Sequence, residues 1–349
     1  MKLFPTKLLG VLALGALSLT TIGTAQAVNI SGAGATFPYP IYSKWAEAYK
    51  TNTGVGMNYQ PIGSGGGIKQ IEAKTVDFGA TDAPMKGADL DAAGLTQFPM
   101  VIGGIVPVVN IPGVAPGQLK LTGPILADIY LGNVTTWADP EIAAVNPGLK
   151  LPDLAIAPIY RSDASGTTYN FTYYLGDVKP AWKDTIGVNK SVDFPVGLGG
   201  KGNDGVAAFT SRTAGAIGYV EYAYALQNNL PYALMQNKDG NFVSPNTANF
   251  QAAAAGADWS SVPGFGVILA NQAGPNTWPM TAATFILMYK KQDKPDVAKS
   301  ALSFFDYALT KGQQAALTLD YVPLPDALVK QIEASWSVIA GPDGSPIWK

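Results

Sequence analysis

The sequence predicts a two-lobed α/β protein, and three observations lead there. Short β-rich runs alternate with helical stretches, the pattern of a mostly parallel sheet with crossover helices. The chain is longer than one hydrophobic core usually covers. Lys2 and Lys7, the apolar run from Leu8 to Leu14 and the triplet Ala25-Gln26-Ala27 read as a secretory signal peptide, and cleavage after Ala27 would leave 322 of the 349 residues. Finally, two segments read as crossings between lobes. The first is the glycine-broken run 101–106 within 99–110, and the second is Thr277-Trp278-Pro279-Met280-Thr281 ahead of a strand at 284–289. The lobes are then 28–102 plus 279–349 and 103–278.

Taken in order, the elements start with a helix entered through Pro38 and Pro40, whose Ile41, Trp45, Ala48 and Tyr49 form one apolar face. A strand at 57–60 ends in Gly63-Ser64-Gly65-Gly66-Gly67, and Ile68, Ile71 and Lys74 after it look helical. Ser64 therefore sits at a helix mouth. Residues 76–82 form a short buried strand that ends on Asp82, just before Ala83-Pro84. In open α/β sheets ligands bind beyond such strand ends. The strand 156–159 leads through Arg161-Ser162-Asp163-Ala164-Ser165-Gly166-Thr167 into a helix containing Tyr169, Phe171 and Tyr173 to Leu175. A last helix presents Val297, Ala301, Phe304, Phe305 and Ala308 inward and closes the first lobe.

Composition excludes much. No cysteine is present, which removes disulfides, thiol nucleophiles, thiolate ligands and a lipid anchor on an N-terminal Cys. No histidine is present either, so Ser-His-Asp catalysis and His-ligated zinc are unavailable. A net charge of −2 with 14% charged residues offers no basic field for nucleic acid. Beyond the leader no stretch is apolar over the roughly 20 residues that span a bilayer, so the mature chain reads as soluble, with no cofactor.

Local geometry must then catch any anion. Ser165, Gly166 and Thr167 place N–H groups and hydroxyls at a helix start, where unpaired donors and the helix dipole favour negative charge. Arg161 adds a permanent forked donor. Thr36-Phe37 after Ser31-Gly32-Ala33-Gly34-Ala35, and Ser64 in its glycine loop, make two more such mouths. Three mouths without phosphate-cleaving machinery point to static anion capture. Gly197-Leu198-Gly199-Gly200-Lys201-Gly202 matches a dinucleotide fingerprint literally, but no clean βαβ unit is read around it. A Walker A loop is absent, and Ile62 spoils a nucleophile elbow at Ser64.

These segments, together with Gly197 to Gly205 and Gly215-Ala216-Ile217-Gly218-Tyr219-Val220-Glu221-Tyr222, resemble the PstS family, the phosphate-binding proteins of bacterial phosphate ABC transporters. The resemblance implies a type II periplasmic binding protein fold, two α/β lobes joined by two crossing strands with phosphate in the cleft. It implies phosphate ligands at Thr36, Phe37 (backbone N–H), Ser64, Asp82, Arg161, Ser165, Gly166 and Thr167, with Asp163 orienting Arg161. Arg161 is expected to be held by Asp82 and Asp163 together, and loop 197–205 to be a turn and helix entry rather than a ligand. Close relatives often have a second serine where Gly65 stands and arginine where Tyr160 stands. Implied too are a periplasmic, non-enzymatic monomer and a membrane permease as partner. Asp82, a pure acceptor when ionised, would read the proton that phosphate retains and sulfate lacks. Other tetrahedral oxyanions, a secreted phosphatase and a surface protein keeping the fold are the rival readings.

Overall fold

The computed structural model describes residues 29–348; the expected signal peptide and its cleavage after Ala27 lie outside them. Among these residues the strands are β1 (Ile30–Gly34), β2 (Met57–Pro61), β3 (Phe78–Thr81), β4 (Leu95–Val109), β5 (Lys120–Leu121), β6 (Ala157–Arg161), β7 (Leu198–Gly200), β8 (Ala216–Glu221), β9 (Leu234–Gln236), β10 (Phe242–Val243) and β11 (Thr281–Tyr289). Eight of them form one sheet in the order β2-β1-β3-β11-β4-β8-β6-β7, and β10-β9-β5 form a small second sheet.

The long, almost wholly buried β4 organises the molecule. Its residues 95–104 pair with β11 and its residues 105–109 pair with β8, so the strand changes partner between Gly104 and Ile105. The parallel pairings, β1 with β2 and β3 and β6 with β7 and β8, are confined to the outer parts of the two halves. The centre is antiparallel: β11 runs against both β3 and β4. The expected mostly parallel sheet holds for four of the seven pairings, and the antiparallel centre is what the sequence did not announce. A chain that leaves the first half along β4 and returns along β11 must lay those two strands head to tail.

The helix Tyr39–Thr53 buries Ile41, Tyr42, Trp45 and Tyr49, with prolines at its entry. Ala48, expected on the same face, is only half-buried. The helix Pro295–Thr310 buries Ala301, Phe304, Phe305 and Ala308, but Ala298 rather than Val297 completes that face. It is not the last helix either. Gln313–Leu317 and Asp326–Ser335 follow, and between them Val322 bridges back to Ile102 on β4. Aromatic clusters fill both halves: Phe78, Phe98 and Trp336 surround Phe305's neighbourhood in one, and Phe171 stacks on Tyr219 at 4.0 Å in the other. These large rings pack among the buried aliphatic side chains of each half. No helix among the described residues is long and apolar enough to cross a membrane.

Candidate anion site in the cleft

The site forms where strand ends of the two halves face each other. Thr36 and Phe37 follow β1, Asp82 follows β3, and Arg161 is the last residue of β6. Ser64 opens the helix Ser64–Glu72, and Ser165 caps the helix Gly166–Val178 by accepting the Thr168 N–H at 3.0 Å. The capping side chain leaves other helix-start donors free to face outward. All eight positions named from the sequence are buried.

Hydrogen bonds tie them into one constellation and fix what the hydroxyls can do. A hydroxyl has two acceptor positions and one proton. Ser64 Oγ accepts from the Asp82 N–H at 3.2 Å and from the Gly166 N–H at 3.0 Å. Thr36 Oγ1 accepts from the Asn203 N–H at 3.2 Å and from Asn203 Nδ2 at 2.7 Å. Thr167 Oγ1 accepts from Arg161 Nη1 at 3.3 Å and, at 3.4 Å, from Asn203 Nδ2. With both acceptor positions occupied, each hydroxyl has only its proton left to offer. The amides of Thr36 and Phe37 find no acceptor among the described residues. The Gly166 amide, by contrast, is spent on Ser64 across the cleft, because closure brings that helix start directly onto the serine.

Arg161 and Asp163 form a bidentate pair, Nε to Oδ1 at 2.8 Å and Nη2 to Oδ2 at 2.6 Å. The arginine head is 1% exposed, so its charge is neutralised within the cleft rather than by solvent. Burial pushes the Asp163 carboxyl up, but the hydrogen bonds and charge of Arg161, with the Gly202 amide, outweigh it and hold the group below the usual carboxylate range. Asp82 makes no hydrogen bond to Arg161. The expectation that both aspartates hold the arginine is therefore corrected: Asp163 alone occupies that edge of the guanidinium, and Asp82 feels Arg161 only through charge.

Among the eight named positions Asp82 is the one carboxylate. It is 1% exposed, and its Oδ1 has no hydrogen-bond partner. Burial raises its carboxyl to about 7, against the smaller opposing pull of Thr284, Arg161 and Ser64. The Thr284 hydroxyl and the Tyr42 phenol are buried beside it, close enough to act on its charge but in no well-formed hydrogen bond.

The 197–205 segment also departs from expectation. β7, the helix Gly202–Arg212 and β8 do make a β-α-β unit, with β7 and β8 both parallel to β6. Its turn meets the site through Gly202, whose N–H donates to Asp163 Oδ1 at 2.9 Å, and through Asn203. The two positions expected to depart from the family pattern, Gly65 and Tyr160, also have local reasons. A Cβ at Gly65 would lie 2.4 Å from the Ala164 Cβ, so a serine has no room in this closed arrangement. Tyr160 stacks on Phe194 at 4.6 Å instead of carrying charge. Sequence reasoning missed Asn203, Asn170, Tyr224 and Tyr321. Tyr224 and Tyr321 donate to the backbone oxygens of Thr36 and Phe37, and Asn170 donates to that of Asp82. For Asn203 a signal existed, a polar side chain opening the helix after the glycine run.

Two α/β halves closing on a buried cluster of anion donors define a ligand-capturing receptor, and the comparisons agree. Residues 19–311 match the profile of the PBP superfamily domain, to which the chain belongs. More narrowly, it is 54% identical to the phosphate-binding protein PstS of Pasteurella multocida, over 93% of this chain and 95% of that protein. It is 53% identical to the one of Haemophilus influenzae, over 92% and 96%. The chain is a member of the PstS family. A solved high affinity periplasmic phosphate-binding protein, PfluDING, bound with phosphate, superposes with a TM-score of 0.72 over 88% of this chain and 94% of that one. At 20% identity it establishes the fold alone.

Proposed function

We propose that this chain captures inorganic phosphate in the periplasm and hands it to the membrane permease of a phosphate ABC transporter. It works as an exported monomer with lobes 28–102 plus 279–349 and 103–278, and it is a binding protein rather than an enzyme, as its relatives' names have it. The observation that carries the reading is the single acceptor, Asp82, set among hydroxyls and amides that can only donate. Thr36, Phe37, Ser64, Arg161, Ser165, Gly166 and Thr167 supply the donors, Gly166 by turning its amide from Ser64 to the ligand, and Asp163 holds Arg161 in place. Above about pH 7, where the Asp82 carboxyl is ionised, phosphate still keeps a proton, which Asp82 accepts; sulfate has none to give. Sulfate would leave a buried carboxylate facing an oxyanion, at a cost of about 1–3 kcal/mol or more. Arsenate, which keeps a proton likewise, is not rejected by this device. Because Arg161 is already neutralised by Asp163, selectivity rests on the hydrogen-bond pattern and not on net charge.

Equilibrium dialysis of the phosphate-stripped mature chain with radiolabelled phosphate tests the reading. Saturable one-to-one uptake, undiminished by excess sulfate and without release of a chromogen from a phosphate monoester, is expected. No saturable uptake, or turnover of the monoester, would overturn it.

A further inference from the structure

We infer that Asn203 is a positioning residue of the phosphate site, the group that makes the Thr36 and Thr167 hydroxyls obligate donors and couples the first of them to closure. The inference rests on the phosphate reading above. Asn203 is fully buried one residue into the helix Gly202–Arg212. Its Oδ1 accepts the Glu221 N–H at 2.9 Å, which settles the orientation of the amide, since a flipped side chain would set two donors against each other. Nδ2 then has to face the cleft. One of its hydrogens goes to Thr36 Oγ1 at 2.7 Å, from the first half of the sheet, and the other is directed to Thr167 Oγ1 at 3.4 Å, from the second.

The backbone N–H of the same residue takes the other acceptor position of Thr36 at 3.2 Å. The threonine proton is left with no local use and points to whatever acceptor occupies the cleft. Without Asn203 the hydroxyl could turn and spend its proton on a protein oxygen. The link to Thr36 joins groups from opposite halves, so it forms only when they meet, and ligand-directed donors are completed by closure itself. Loop 197–205 thus acts as a keystone: Gly202 braces Asp163, the partner of Arg161, while its neighbour sets two hydroxyls.

The test is calorimetric titration of the phosphate-stripped chain with phosphate, for wild type, Asn203→Ala, Asn203→Asp, Thr36→Val and the Asn203→Ala/Thr36→Val pair, with thermal melts of each stripped protein. Asn203→Ala should weaken phosphate binding about tenfold or more, the scale of one lost charge-assisted contact. Asn203→Asp keeps the acceptor for Glu221 and the shape but would take the Thr36 proton and repel the anion, so it should lose more. In the Thr36→Val background the alanine change should add less than about twofold, because its main client is gone. Phosphate affinity of Asn203→Ala within about twofold of wild type, an equal loss with or without Thr36, or a loss matched by a lower melting temperature of the stripped protein would overturn the inference. If the alanine variant does not fold, the near-isosteric aspartate variant decides alone: unchanged affinity overturns, a larger loss supports. A wild-type chain that takes up no phosphate overturns the phosphate reading itself, a result distinct from wild-type binding with indifferent variants.

Discussion

Asp82 is a buried carboxyl with an unpartnered oxygen amid donors, and two consequences belong to that one residue. Replacing it with asparagine removes the acceptor and adds an N–H that sulfate can use. Asp82→Asn should narrow the preference for phosphate over sulfate by about tenfold or more in a competition assay; an unchanged ratio would contradict proton reading. The second consequence concerns pH. Burial lifts this carboxyl from 3.8 to about 7, so the folded, phosphate-stripped protein holds a proton the unfolded chain has released. The stabilisation is complete below the unfolded-state pKa near 4 and is lost as pH rises towards 7. Melting temperatures of stripped wild type should therefore fall relative to Asp82→Asn across that range. Glu221, also buried and raised well above its usual value, titrates in both proteins and cancels in the difference. Parallel curves would contradict the assignment.

At the scale of elements, the site is a set of helix starts and strand ends, and the fit between them is close. A Cβ on Gly166 would lie 2.4 Å from Ser64 Oγ and 2.7 Å from the Asp82 Cβ, both on the opposite half. Alanine is welcome in a helix, so Gly166→Ala should fold with an unchanged or slightly higher melting temperature yet lose phosphate affinity by at least about tenfold, because the halves cannot close; a calorimetric titration showing wild-type affinity would contradict this. These elements were legible because proline and glycine punctuate them: Pro38 and Pro40, the glycines around Ser64 and Pro84 after Asp82 mark where chains end and donors begin. The antiparallel centre was not legible, since pairing direction depends on partners far apart in sequence. The contacts of Asn203, Tyr224 and Tyr321 were hidden for the same reason, Asn203 showing only as a polar residue at a helix start; they reach Thr36 and Phe37 from 167, 188 and 284 residues away. The split between Asp82 and Asp163 also escaped, because spacing alone does not say which carboxylate meets the guanidinium edge.

Across the whole molecule, closure is held by groups that need not touch the ligand. Gly65 N–H donates to the Ala164 oxygen at 2.9 Å, Asn170 Nδ2 to the Asp82 oxygen at 2.7 Å and Tyr224 OH to the Thr36 oxygen at 2.6 Å. Each net bond contributes only about 0.5–1.5 kcal/mol, and closure also places several donors around one point, so without an anion the closed form is opposed by their mutual exposure to a desolvated space. Phosphate, satisfying donors of both halves at once, should shift the population towards closure. Small-angle scattering should show a smaller radius of gyration with phosphate than without, and equal radii would contradict hinge closure. The central claim, that a donor-only ring with one carboxylate recognises a protonated oxyanion, is tested most directly by titration calorimetry of the stripped wild-type chain with phosphate and then with sulfate in the same buffer. A one-to-one phosphate isotherm with no sulfate heat is the predicted result; sulfate binding as tightly as phosphate would contradict it.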